Sequence, residues 1–213
     1  MSVVLQGVRK AFNGSPILAI ERLEVPKGAQ KVITGTSGSG KTTLLNVIGG
    51  IVSPDAGAVT VAGTELTALS EPARDRFRAE KIGLVFQTFN LLQGFSALEN
   101  VLLGMLFAGK TDRARAQGLL ERVGLQDRMG HHPSQLSVGQ QQRVAIARAL
   151  ANRPEVILAD EPTGNLDPKT GATIVDLLKE ICRESGATLL LVTHQPNVMQ
   201  SFTDVTDLKD LNR

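Results

Sequence analysis

Three short stretches of the chain carry residues of the types and spacing that chemistry on phosphate requires. The stretch "GTSGSGKTT", Gly35 to Thr43, fits G-x-x-x-x-G-K-[ST] through Thr42 at every position. Its glycines, Gly35, Gly38 and Gly40, let the backbone curl. Successive N–H groups of the Thr36, Ser37 and Ser39 segment then face a β-phosphate. Lys41 is placed to bridge the β- and γ-phosphates, and the Thr42 hydroxyl to coordinate Mg²⁺. The second stretch, "VILADEP", ends an apolar run with Asp160 and Glu161. Adjacent acids at a strand end point in different directions. We therefore assign Asp160 to Mg²⁺, through water, and Glu161 to general-base activation of an attacking water. Either acid alone also reads as a solvated residue capping the next turn; the glycine-rich loop is what turns the pair into candidates. The third stretch, "LSVGQQQRVAIARAL", sets Ser137 and Gly139 directly ahead of a long helix. Free N–H groups and the helix dipole make such a start a second anion site.

Two polar residues close apolar runs. His194 ends "TLLLVTH", where it is either a surface histidine or, with its strand beside the loop, a contact for the γ-phosphate. Gln87 ends "GLVFQ", where it is either a plain strand-end residue or a contact for Mg²⁺ or the lytic water. His131 and His132 precede Pro133 with no carboxylate or cysteine at metal-ligand spacing, so they read as structural. The single cysteine, Cys182, recurs at helical spacing with Ile174, Leu177, Leu178 and Ile181, which describes a buried thiol rather than a nucleophile.

The elements that must hold these residues follow from hydrophobic pattern. The runs at 31–35, 82–87, 155–161 and 187–194 are almost continuously apolar, as in strands buried on both faces of a parallel sheet. Helical patterns at about 41–48, 140–152 and 170–185 lie between them, stopped by Gly49-Gly50, Pro154 and Gly186. The fold class is α/β with a mainly parallel sheet. Residues 88–153 are the exception. "SALENVLLGMLFAGK" and "RARAQGLLERVGLQDR" are helical in pattern, and no strand stands out. We read 88–153 as an α-helical subdomain inserted into a core made of 1–87 and 154–213, the whole chain being one domain.

With 213 residues, 42% hydrophobic and 21% charged, the chain has the composition of a globular protein with an ample core. Its 23 Lys+Arg and 21 Asp+Glu leave a formal charge of +2, too balanced to argue for nucleic acid or an anionic lipid surface. "RDRFRAEK" mixes signs as a solvated helix face does. The apolar runs are shorter than a membrane span, and the start lacks a signal-peptide pattern. One cysteine fits a reducing compartment.

The order "GTSGSGKTT", "VFQ", "LSVGQQQR", "VILADEPTGNLD" and "VTH" resembles the nucleotide-binding domain of the ATP-binding-cassette family along essentially the whole chain. The resemblance implies a P-loop ATPase core, an N-terminal antiparallel β part and the helical insert. It also implies ATP and Mg²⁺ as ligands. By the same resemblance Ser137, Gly139 and Gln140 face the ATP held by a second copy of the chain in a head-to-tail dimer. Asp167 of "GNLD" crosses the same interface, and Thr43 joins the residues around ATP.

This chain departs from the family pattern in places. Val138 stands where the signature commonly has glycine, which a helix start with negative φ tolerates. The adenine-stacking position, commonly tyrosine, is Phe12 here, which is either the stacking ring or a core phenylalanine. The tail "SFTDVTDLKDLNR" departs from the family's usual end, a glycine turn and a last strand.

"FQTFNLLQGFSALENVLL" looks like the group of lipoprotein-releasing, macrolide-exporting, heterocyst-glycolipid-exporting and cell-division ATPases. That likeness implies an integral membrane permease as partner, docked over residues about 88–108. The location is then the cytoplasmic face of the inner membrane, and the work is export or extraction. A mechanotransmission ATPase that regulates an envelope process without transport is the alternative. A cassette acting on DNA or ribosomes would carry a coiled-coil insertion or tandem cassettes, and a GTPase would carry N-K-x-D; neither is in the sequence.

Overall fold

A computed structural model describes residues 1–212. Strands β1 (Val3–Phe12) and β2 (Ser15–Val25) form a hairpin whose two-residue turn is Asn13-Gly14. Both turn residues lie at positive φ, 51° and 78°, as Asn-Gly turns between right-twisted strands require. Next come β3 (Gln30–Thr34), α1 (Lys41–Ile48), β4 (Ala56–Val61), β5 (Thr64–Glu65), α2 (Glu71–Lys81) and β6 (Ile82–Val85). Helices α3 (Ala97–Leu106), α4 (Arg113–Arg122) and α5 (Val138–Ala149) follow without an intervening strand. The chain ends with β7 (Val156–Asp160), α6 (Pro168–Ser185), β8 (Thr188–Thr193), α7 (Pro196–Gln200), β9 (Asp204–Asp207) and α8 (Leu208–Leu211).

These strands make two sheets. The antiparallel sheet has the order β2-β1-β4-β5, and the parallel sheet the order β6-β7-β8-β3-β9. The parallel strands separate two apolar clusters, which explains their unbroken hydrophobicity. Along β7, Val156 and Leu158 face one cluster while Ile157 and Ala159 face the other. In β8, Leu190 and Val192 alternate with Leu189 and Leu191 in the same way. One cluster joins this sheet to the antiparallel sheet through Leu44, Leu45, Val47 and Ile48 of α1. The other joins it to the helices, with Leu98, Val101, Leu120 and Ile146 inside. At about 25 cal/mol per Å² of apolar burial, such side chains supply the main drive for folding.

Helix ends follow local chemistry. Ser96 caps α3 with a reciprocal bond from Glu99, and Ser137 caps α5 with Gln140 in the same arrangement. Asp167 caps α6, Pro168 occupies its first turn, and Gly186 ends it at φ 69°. Helix α2 buries none of its residues, as its mixed-charge sequence implies.

Strand and helix ends differ by a few residues from the hydrophobic pattern. Strand β6 stops at Val85, so Phe86 and Gln87 lie beyond it, and α5 begins at Val138, two residues before its periodic part. The tail departs from the family's sequence pattern yet supplies a last strand. β9 pairs in parallel with β3 along Lys31↔Asp204 to Thr34↔Asp207. Asn212 then fastens the end: its Oδ1 accepts from Ala19 N, and its Nδ2 donates to Ile17 O at 3.0 Å.

Candidate active site

The loop after β3 and the N-terminus of α1 form the floor of the site. Gly38 and Gly40 sit at φ 77° and 100°, positions that disfavour side chains. A Cβ at Gly40 would also stand 3.0 Å from Ile17 Cγ2. Lys41 is buried and folds across the loop, donating to the carbonyls of Gly35 (2.8 Å) and Thr36 (2.9 Å). Its Nζ lies 3.8 Å from Glu161 Oε1.

The two acids diverge as their adjacency demands. Asp160, the last residue of β7, neighbours Thr42, and its Oδ1 is buried with no protein partner. Burial pushes its carboxyl above the usual range, a shift opposed by the Thr42 hydroxyl and Lys41. A buried, unpartnered carboxylate oxygen beside a threonine hydroxyl fits Mg²⁺, which takes one or two protein oxygens plus substrate phosphates. Among the described residues no cluster of three or more His, Cys, Asp or Glu could hold a metal alone.

Glu161 takes the left-handed backbone, φ 44°. For an L-residue that costs about 1–2 kcal/mol. The surroundings hold it there: its N–H donates to Val192 O (3.0 Å), and Gly164 N–H donates to its carbonyl (2.9 Å). The buried carboxylate meets His194 Nδ1 at 2.7 Å through Oε1 and accepts from Thr193 Oγ1 at 3.1 Å through Oε2. An ionised carboxylate only accepts, so Nδ1 carries the proton and Nε2 is the ring nitrogen left for another contact.

Gln87 lies against the turn that follows Glu161. Its carbonyl accepts from Asn165 Nδ2 (2.9 Å), and its side chain packs on Gly164, where a Cβ would approach Nε2 to 2.7 Å. Phe12 closes the site opposite. The residue is 46% exposed, outside both apolar clusters, and Lys10 Nζ lies 5.3 Å from the ring centroid. A cleft of about 430 Å³ is lined by Phe12, Ser37, Gly38, Gly40, Lys41, Thr42, Thr43, Gln87, Glu161 and His194.

Ser137, Gly139, Gln140 and Asp167 do not line that cleft. They sit together elsewhere: a Cβ on Gly139 would come within 2.9 Å of Thr170 Cγ2, and Thr170 N caps on Asp167. Ser137 Oγ accepts from Gln140 N at 3.3 Å, while Gln140 Oε1 accepts from Ser137 N at 2.9 Å. The hydroxyl proton of Ser137 is therefore free to donate outward. Val138 is the first helical residue and half-exposed, so the β-branched side chain sits at a helix start.

Sequence reasoning missed Gln142, Thr163 and Gln195. Gln142 is fully buried and donates to Pro162 O at 2.8 Å; Thr163 Oγ1 donates to Gln195 Oε1 at 2.8 Å. The signal for Gln142 was a glutamine in helical register with the buried Ala145 and Ile146.

Sheet, glycine-rich loop, strand-end acids and helical insert define the class: a P-loop nucleoside triphosphatase. Residues 20–164 match the family model described as ABC transporter. The chain belongs to that family, as one of its ATP-hydrolysing cassettes. It is 45% identical to a lipoprotein-releasing system ATP-binding protein of Caulobacter vibrioides, over 98% of this chain and 94% of the relative. It is 42% identical to a macrolide export ATP-binding/permease protein of Syntrophobacter fumaroxidans, covering 98% of this chain but 30% of that longer protein. Among solved structures it resembles the ATP-binding cassette MJ0796, a dimer in a post-hydrolysis state bound to ADP and Pi. There the TM-score is 0.88 and the identity 42%, over 98% of this chain and 94% of that one.

Proposed function

We propose that the chain hydrolyses ATP in a head-to-tail dimer of two copies and passes the resulting motion to a membrane permease, powering export or extraction. Each site is then composite. One copy supplies the Gly35–Thr43 loop, Asp160, Glu161, Gln87 and His194, with Phe12 stacked on adenine. The other supplies Ser137, Gly139 and Gln140 against the γ-phosphate, with Asp167 at the same interface. The observation that carries this reading is the separation within one chain. The capped start of α5 stands outside the cleft, with its serine hydroxyl still able to donate.

Catalysis in this arrangement is positioning and charge stabilisation. The N–H groups of the loop and Lys41 take the phosphate charge. Glu161, held by Thr193 and His194, accepts the proton of an attacking water. His194 Nε2, the ring nitrogen that Glu161 does not engage, is the atom that reaches for a phosphate oxygen. Thr42 and Asp160 would hold Mg²⁺, with Gln87 beside them; bound there, the ion would neutralise charge on the β- and γ-oxygens.

The working unit is the whole chain, with 1–87 and 154–213 as nucleotide-binding core and 88–153 as the signature-bearing lobe. Among the described residues no helix is long and apolar enough to cross a membrane. In this reading a membrane location comes by docking to the permease. A groove of about 520 Å³ brings Leu92, Leu103 and Phe107 of the 88–108 segment together with Leu84, Phe86 and, at its polar margin, Arg78 and Arg148, and offers a seat for a partner. In this reading the chain sits peripherally, on the cytoplasmic face of the inner membrane. The test is Glu161→Gln, expected to bind ATP, lose turnover by at least about a hundredfold, and accumulate as a dimer by size-exclusion chromatography. Near-parental hydrolysis would remove Glu161 from its role.

A further inference from the structure

Gln142 is a fully buried glutamine on the helix that Ser137 leads. Its Nε2 donates to Pro162 O at 2.8 Å, and its Oε1 is buried without a partner. An amide placed in the interior for one bond, at the cost of leaving its oxygen unsatisfied, marks that bond as the one that matters. Its acceptor is the carbonyl next after Glu161. The residue before a proline is disfavoured in helical backbone regions, and Glu161 sits at φ 44° all the same. The proline ring fixes φ at 162, so the Pro162 carbonyl can turn freely only about one bond. Holding that carbonyl therefore restrains the backbone of Glu161.

Other hydrogen bonds hold this turn from the sheet side. Glu161 N–H donates to Val192 O, Thr193 Oγ1 donates to Glu161 Oε2, and Thr163 Oγ1 donates to Gln195 Oε1. The Gln142 bond comes instead from α5, the helix whose start carries Ser137. We propose that Gln142 is a positioning residue for Glu161, linking the seat of Ser137 on one ATP to the aim of the general base at the other. A shift of α5 when Ser137 engages the partner copy's phosphate reaches Glu161 through a single amide. The inference rests on the composite-site reading above.

The test uses the full chain with ATP and Mg²⁺. Gln142→Met keeps the length of the arm and removes the donor; Gln142→Asn keeps the amide on an arm too short to reach, and serves if the first variant does not fold. Either should lower kcat about tenfold, the size of a coupling contact, with KM changed by less than about twofold. Combined with Glu161→Gln, the same substitution should leave the slow residual single-turnover rate unchanged, because the residue it positions is already gone. An unchanged kcat, a raised KM at constant kcat, or an equal fold-loss in the Glu161→Gln background would each overturn the proposal. Failure of the underlying reading looks different: Glu161→Gln alone would then hydrolyse ATP at close to the parental rate.

Discussion

Glu161 and Asp160 show how far residue types alone could be read. Their adjacency at a strand end implied divergent directions, and the side chains do diverge: Asp160 toward Thr42, Glu161 toward Lys41 and His194. The left-handed backbone of Glu161 was not legible, because nothing in "DEPT" distinguishes φ 44° from an ordinary turn. It depends on bonds from Val192 and Gly164 that only the folded chain brings near. Cys182 was legible from periodicity. Burial pushes its thiol up to about 12, so it is inert at neutral pH. We expect native Cys182 to react with maleimide at least about a hundredfold more slowly than after denaturation. Stoichiometric labelling of the folded protein within minutes would contradict its buried role.

At the level of elements, the parallel strands were legible because each is apolar on two faces, one toward each cluster. The last strand was not. "DVTD" places acids at both ends, and its valine is 40% exposed; β9 forms through pairing with β3, the Lys31–Asp204 ion pair and the Asn212 clasp. All three are long-range contacts invisible to local pattern. Where α5 meets the start of α6, a methyl group on Gly139 would stand 2.9 Å from Thr170 Cγ2, so the threonine must shift to admit it. Gly139→Ala should therefore destabilise by about 1–3 kcal/mol, and removing Cγ2 with Thr170→Ser should recover much of that loss, as read by thermal melts. An unshifted melting temperature for Gly139→Ala would show that the contact yields freely.

The cap of α6 responds to pH. The Thr170 hydroxyl and N–H bonds hold the Asp167 carboxyl below its usual value. A depressed carboxylate contributes its full stability above the unfolded pKa, about 3.9. That contribution is lost as pH falls through the lower folded value. The melting temperature of Asp167→Asn should accordingly approach that of the parent as pH falls below about 4. A gap that stays constant across that fall would deny the carboxylate its cap.

For the whole molecule, the pattern of the chain located both candidate phosphate sites but not the surface that would join them in the proposed dimer. Ser137 was singled out as the lead residue of a second anion site, and Asp167 through resemblance. The structure adds that they cluster with Gly139 and Thr170, away from the cleft lined by Phe12, Lys41 and Glu161. In the proposed dimer, a surface used twice by two identical copies would complete both sites at once. Crosslinking tests this directly, because Cys182 is buried and Ser37 and Ser137 are exposed. Ser37→Cys and Ser137→Cys, introduced together with Glu161→Gln and treated with a short bis-maleimide, should give a covalent dimer that depends on ATP. A crosslink confined to single chains, or one formed equally without nucleotide, would contradict the account.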